Sequence, residues 1–212
     1  SGEFATEVVN NNGLGNFNQI DLKKILSGKI VSVNPYIDNY EEGFSGNSSV
    51  SDFETMLQLI YLHFTATRKD DDAFEALMNN YKAFLANSEN NPDKAFSDTV
   101  QVMLTNHSPR TVLLNMKTLE KVNQEKALEI FADRFSDPAD FTFVFTGNVN
   151  PNNKTVENAI NTYIGGIKSK GKKEQYTDDN VRLPMGKATN YFSREMQVKK
   201  VSNCIVYSGN MN

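Results

Sequence analysis

The residue with the most chemical potential in this chain is His63, in the stretch SDFETMLQLIYLHFTATR. A zinc-hydrolase helix carries two histidines on one face with a carboxylate between or beside them. The spacing HxxEH or HExxH lets both imidazoles reach one ion and places the glutamate against the metal-bound water. Tyr61 and Leu62 precede His63, and no second histidine lies within a helical turn of it; His107, the only other one, is in a different segment. A lone histidine among Leu59, Ile60, Leu62 and Phe64 reads as a packed or half-exposed helix residue rather than a ligand.

The other candidates are weaker. Cys204 is the single cysteine, so an internal disulfide is excluded, and its apolar neighbours Ile205 and Val206 place it in a strand as an inert thiol. Ser45 follows Gly43-Phe44 and precedes Gly46, but the spacing of a nucleophile elbow, G-x-S-x-G, is not met, and the glycines read as sheet features. Asp70, Asp71 and Asp72 suit the positive end of a helix and lack the later Gly and Glu of a calcium loop. GNVNPNN, from Gly147, is a strand-to-helix turn without a phosphate-loop glycine pattern. The aromatics Phe131, Phe135, Phe141, Phe143 and Phe145 read as core rather than a binding groove. No residue is assigned a catalytic, cofactor-binding or metal-ligating role.

The elements around these residues follow from caps and periodicity. Ala5 to Asn11 reads as a helix tail. Asn18 caps a helix from Gln19 to Leu26 that stops at Gly28. Lys29 to Pro35 and Glu41 to Ser48 read as paired strands. Ser51-Asp52-Phe53-Glu54 is a capping box that opens the His63 helix. A second helix runs from Asp70 to Ser88 with a buried stripe of Phe74, Leu77, Met78, Tyr81, Phe84 and Leu85. Pro92 starts a third, reaching Leu104, and Asn106-His107-Ser108-Pro109 breaks it. Asn123 caps a fourth, with Ala127, Leu128, Phe131 and Phe135 inward. Phe141 to Thr146 reads as a central strand, followed by a helix that ends at Tyr163-Ile164-Gly165-Gly166. Lys168 to Asn190 reads as a loop, and Tyr191 to Val198 and Asn203 to Ser208 as two strands. The segregation of helices from strands favours α+β.

The whole chain sets outer bounds. Its 212 residues are enough for one large or two modest domains with a real core. A net charge of −4 argues against nucleic acid as a partner. No apolar run reaches the length of a membrane span, so no membrane insertion is expected. Ser1-Gly2-Glu3-Phe4 has the look of a vector-derived leader, because Glu-Phe is what a common cloning site encodes, and it is set aside.

Two blocks carry a family resemblance. GFSGNSSVSDFETMLQLIYLHFTATRKDDDAFEAL resembles the third domain, and NQEKALEIFADRFSDPADFTFVFTGNVNPNNKTVENAINTYIGGI the start of the fourth, of long pitrilysin-like (M16, insulinase-type) zinc metallopeptidases. The resemblance covers about Ala5 to Tyr207. It implies an α/β sandwich with helices on a mostly antiparallel sheet, divided into 5–109 (third-domain-like) and 110–212 (an incomplete fourth). In such a family the zinc motif HxxEH lies on a helix of the first domain. The equivalent helix here would be Ala5-Thr6-Glu7-Val8-Val9, which has neither histidine, and Glu7 alone cannot hold a metal.

The resemblance therefore implies a non-catalytic, substrate-enclosing part of a bacterial zinc peptidase. No cofactor is expected in this chain, and zinc is expected in another domain of the parent. The partners it implies are the upstream catalytic half of the same polypeptide and a peptide substrate, and the expected setting is periplasmic or cell-envelope. A dimer through an exposed edge strand, the last one, is a further expectation. The alternative is a stand-alone peptide-binding or protein-assembly module without catalysis.

Overall fold

The computed structural model describes residues 2–88, 91–171, 173–178, 180–193 and 200–207. They fall into two compact units. One comprises Ser1–Met78 with Lys121–Tyr176, the other Asn79–Glu120 with Thr177–Asn212.

The first unit begins with helix α1 (Gly2–Asn12), whose Ala5, Val8 and Val9 are fully buried. Phe4 is buried as well, although the sequence sets it aside as leader. Gly13 closes the helix with φ +83°; a Cβ there would lie 2.2 Å from the Phe17 carbonyl oxygen, so only glycine fits. Helix α2 (Gln19–Ile25) starts where expected, with the Asn18 side chain accepting the Asp21 N–H. Strands β1 (Val31–Ile37) and β2 (Glu42–Ser48) then form an antiparallel pair, with Val33 opposite Gly46 and Tyr36 opposite Gly43. Gly46 has a packing reason: a Cβ there would stand 2.7 Å from the Ser32 carbonyl oxygen.

Helix α3 (Phe53–Thr65) buries Phe53, Met56, Leu57, Leu59, Ile60 and His63. Its start corrects the expected capping box. Asp52 is the cap residue and makes no side-chain cap bond. Its carboxylate is instead drawn back toward the sheet, accepting the Ser49 hydroxyl at 2.6 Å and the Ile30 N–H at 3.0 Å. Helix α4 (Asp71–Ser88) opens on Asp70, whose carboxylate accepts the Ala73 N–H. Leu77, Met78 and Leu85 are buried along it, but Phe84, assigned to the buried stripe, is 58% exposed.

In the second unit, α5 (Pro92–Leu104) has Pro92 in its first turn and the Asn91 side chain accepting the Asp93 N–H. Its C-terminus ends with Asn106 and His107 at φ 50° and 56°, and the His107 N–H reaches back to the Val102 carbonyl. A short helix not read from the sequence, α6 (Met116–Leu119), is held by a capping box between Asn115 and Thr118.

Back in the first unit, α7 (Gln124–Arg134) is capped by Asn123 and buries Ala127 and Phe131. Helix α8 (Lys154–Tyr163) is capped by Asn153. Helix α1 packs on α7 and β1, and α3 packs on β1, β2 and α8. The core is aromatic: Phe131 stacks on Phe135 at 4.4 Å, Phe44 meets Phe135 at 4.8 Å, and Phe64 meets Phe141 edge-on at 5.1 Å. Two buried amides fasten the turn between α3 and α4: Asn12 donates to the Arg68 carbonyl at 3.0 Å, and Gln124 to the Asp70 carbonyl at 2.8 Å.

Two expected strands, Phe141 to Thr146 and Asn203 to Ser208, are corrected where described. Phe141 to Thr146 is not a strand, because none of the described residues pairs with it. Residues 191–193 and 203–207 carry no strand either; 194–198 and Ser208 lie outside the described residues. The sheet among the described residues is thus the single hairpin β1–β2, with helices packed on it. The mixed α+β class stands, and Lys168 to Asn190 is irregular where described, as read.

Candidate functional site

His63 occupies the last turn of α3 and is 3% exposed. Its Nδ1 lies 2.7 Å from the Leu59 carbonyl oxygen. A carbonyl only accepts, so Nδ1 carries the proton and Nε2 is left with a lone pair. That Nε2 is buried and has no hydrogen-bond partner. The Phe44 ring meets the imidazole edge-on at 5.4 Å and Phe131 lies at 6.3 Å. Burial pushes its pKa down to about 4, against the bond to Leu59, which favours the charged form. His63 is therefore a neutral packing residue across the pH range in which a hydrolase works. It cannot act as a proton carrier there, because its free nitrogen faces apolar surroundings rather than a cleft.

The remaining candidates are placed as follows. His107 sits in the left-handed turn after α5, in the second unit. Cys204 is exposed and free, which corrects its placement in a buried strand. Ser45 is exposed on β2 opposite Asn34, within a regular ladder and not an elbow. Asp70 is engaged by Ala73 and by Arg68 at 3.1 Å, and Asp71 by Lys69 at 3.1 Å, so these carboxylates cap and pair. The turn at Gly147 leads into α8, with the Asn153 side chain accepting the Thr155 N–H, a helix cap. Phe131 and Phe135 are buried, and Phe141, Phe143 and Phe145 are partly buried against the same core. In α1, Ala5, Val8 and Val9 face inward and Glu7 outward.

One cluster had no signal in the sequence, because its members come from three separate elements. Carboxylate oxygens of Glu42, Asp140 and Glu174 lie within 4.8 Å of one another. Burial pushes the Glu42 carboxyl up, Arg134 pulls it back, and Glu174 and Asp140 add to the rise. The Arg134 guanidinium donates to Glu174 at 2.8 Å, and the Glu174 N–H donates to Asp140 at 2.8 Å. Zinc in hydrolases takes imidazole or thiolate with few carboxylates. A set of three carboxylates beside an arginine does not fit it, and no chemical step is derived through a metal here.

With this geometry established, comparison with known proteins gives the class. The fold is that of part of a pitrilysin-like (M16-type) zinc protease chain. In particular, the chain is 27% identical over 166 residues to the probable zinc protease PqqL of Escherichia coli (strain K12), a match over 78% of this chain and 17% of that protein. It is 30% identical over 119 residues to a zinc protease PQQL-like of Arabidopsis thaliana, over 56% of this chain and 12% of that one. Among solved structures it superposes on the periplasmic protease PqqL from Escherichia coli with a TM-score of 0.68 at 23% identity, covering 86% of this chain and 20% of that one. The ferredoxin protease FusC, in a variant bound to Arabidopsis ferredoxin, gives 0.68 at 15% identity with the same coverage. No family profile matches the chain. The chain thus spans less than a fifth of the length of these curated relatives.

Proposed function

We propose that this chain is a non-catalytic, substrate-enclosing part of a zinc-dependent peptidase. The observation that carries the reading is His63. The one helix-borne histidine is locked inward by Leu59, and among the described residues its ring neighbours are Phe44 and Phe131. On this reading the segment contributes shape: it positions and size-selects a peptide, and excludes water and folded proteins from a metal held elsewhere.

On this reading the parent's zinc is bound outside these residues, and the upstream catalytic half is the obligatory partner. The division into a third-domain-like 5–109 and a fourth-domain-like 110–212 is part of the same proposal, as is a periplasmic setting, which the likeness to the periplasmic protease PqqL supports. The test is a fluorogenic peptide incubated with this chain alone, with and without chelator. The expected result is no cleavage in either arm. Cleavage by the chain alone that a chelator does not stop would overturn the reading.

A further inference from the structure

Asp137 is a buried carboxylate, 3% exposed, and it grips a stretch of chain that is itself exposed. After α8 the chain buries Ile167, and then Lys168 to Gly171 and Lys173 to Tyr176 all lie at the surface. Apolar burial therefore does little to hold this stretch down. It is fastened by hydrogen bonds to the turn Pro138–Asp140 and the residue before it. One oxygen of Asp137 accepts the Ala139 N–H at 3.0 Å within that turn, and also the Ser169 hydroxyl at 2.7 Å. The other accepts the Lys170 N–H at 2.7 Å. Ser169 in turn accepts the Gly171 N–H at 3.0 Å. Further along, Asp140 accepts the Glu174 N–H at 2.8 Å, and Arg134 donates to the Glu174 carboxylate at 2.8 Å.

We propose that Lys168 to Gly171 with Lys173 to Tyr176 is a strap that lifts off and settles back while the core beneath it stays folded, and that Asp137 is its latch. Lifting exposes carboxylates and amides, which water solvates, and little apolar surface, so it costs far less than opening the aromatic core. Among the fastenings Asp137 carries most of the hold. Its two bonds to the strap are charge-assisted and lie out of water, where such bonds are strongest. Asp140 gives one bond from a half-buried position, and the Arg134–Glu174 pair is about one-third exposed on both sides, where an ion pair is worth little. Lifting the strap gives Asp137 to water and parts Glu174 from Arg134, so the device decides whether these charges face one another or solvent.

Native-state hydrogen–deuterium exchange of this chain, read at the Lys170 and Glu174 amides against the amides of β1 over a series of low urea concentrations, tests this. The strap amides should exchange about a hundredfold or more faster than β1, with almost no dependence on urea, because the opening uncovers little surface. Asp137→Ala should speed exchange at Lys170 by about tenfold or more. Asp137 also caps its own turn, so Ser169→Ala is the cleaner variant: it leaves the turn intact, and should speed Lys170 by about threefold or more with β1 unchanged. Trypsin cleavage after Lys170 should rise in the same order. Exchange of Lys170 in step with β1, at the same urea slope, would make the stretch part of the core and overturn the proposal. Unchanged Lys170 exchange in both variants would overturn Asp137 as the latch.

Discussion

The Nδ1–H of His63 is bonded to the Leu59 carbonyl one turn back in α3, at 2.7 Å, and this contact decides what the imidazole can do. It fixes the tautomer, leaves Nε2 as an unpartnered lone pair in an aromatic setting, and makes protonation a destabilising event.

Stability should therefore fall in mild acid. The folded-state pKa of His63 is depressed to about 4 from an ordinary value near 6.5. The unfolded chain binds the extra proton first, so stability is complete above about pH 6.5 and is lost as the pH drops toward the folded value. The loss by pH 4 is about 3 kcal/mol, to order of magnitude. Urea melts from pH 7 to pH 4 on wild type and His63→Leu measure it. The variant should show a clearly flatter pH dependence; equal slopes would mean that the imidazole reaches water.

The aromatic core should dominate stability. Phe131 is fully buried against Phe135, and Phe131→Ala should cost about 3–5 kcal/mol. Thermal or chemical melts check it. An effect below about 1 kcal/mol would show that the core collapses around the cavity.

Tyr163 should tie α8 to α3. Its hydroxyl donates to Glu54 at 3.1 Å and accepts from Gln58 at 2.9 Å. Tyr163→Phe should cost about 1 kcal/mol, with little further loss when Gln58→Ala is added. Fully additive losses in the double-mutant cycle would mean that the two side chains do not share that bond.

Gly46 should resist substitution. Its absent Cβ leaves room for the Ser32 carbonyl across the hairpin. Gly46→Val should destabilise by roughly 1–3 kcal/mol, the range for overpacking. A neutral or stabilising effect in melts would show that the hairpin can open to accept it.

Much of the fold was legible because its signals are local. Asn18 and Asn123 mark helix starts by accepting the N–H three positions on, and Pro92 by its fixed φ in the first turn; such signals need no tertiary knowledge. The hairpin followed from alternation; the apolar neighbours of His63 left packed and half-exposed both open, and the structure buries it. The short α6 was missed although Asn115 and Thr118 spell its capping box, because four residues give no periodicity. Phe84 lies within the apolar repeat of α4 but is exposed, since periodicity does not say how wide the covered face is. Cys204 was placed in a strand by its neighbours Ile205 and Val206, and a strand requires a partner that composition does not reveal. The same holds for Phe141 to Thr146, which its apolar, aromatic composition marked as a central strand. The Glu42–Asp140–Glu174 cluster was invisible for another reason: it is assembled by tertiary structure from residues with no shared spacing.

Zinc content gives an independent check on the proposed division of labour. A carboxylate-only cluster beside Arg134 is a poor zinc site. Metal analysis of this chain after dialysis should find well under one zinc per chain. A stoichiometric, chelator-sensitive zinc would place a ligand set within the chain and contradict its passive role.

The most direct measurement is cleavage of a short, unstructured fluorogenic peptide by the upstream zinc-bearing portion of the parent, with and without this chain added. The enclosing-wall account expects added chain to raise cleavage, chelator to abolish it, and folded proteins to stay uncut in both arms. Cleavage by the upstream portion that is already complete, and unchanged by saturating amounts of this chain shown to be bound to it, would contradict the account.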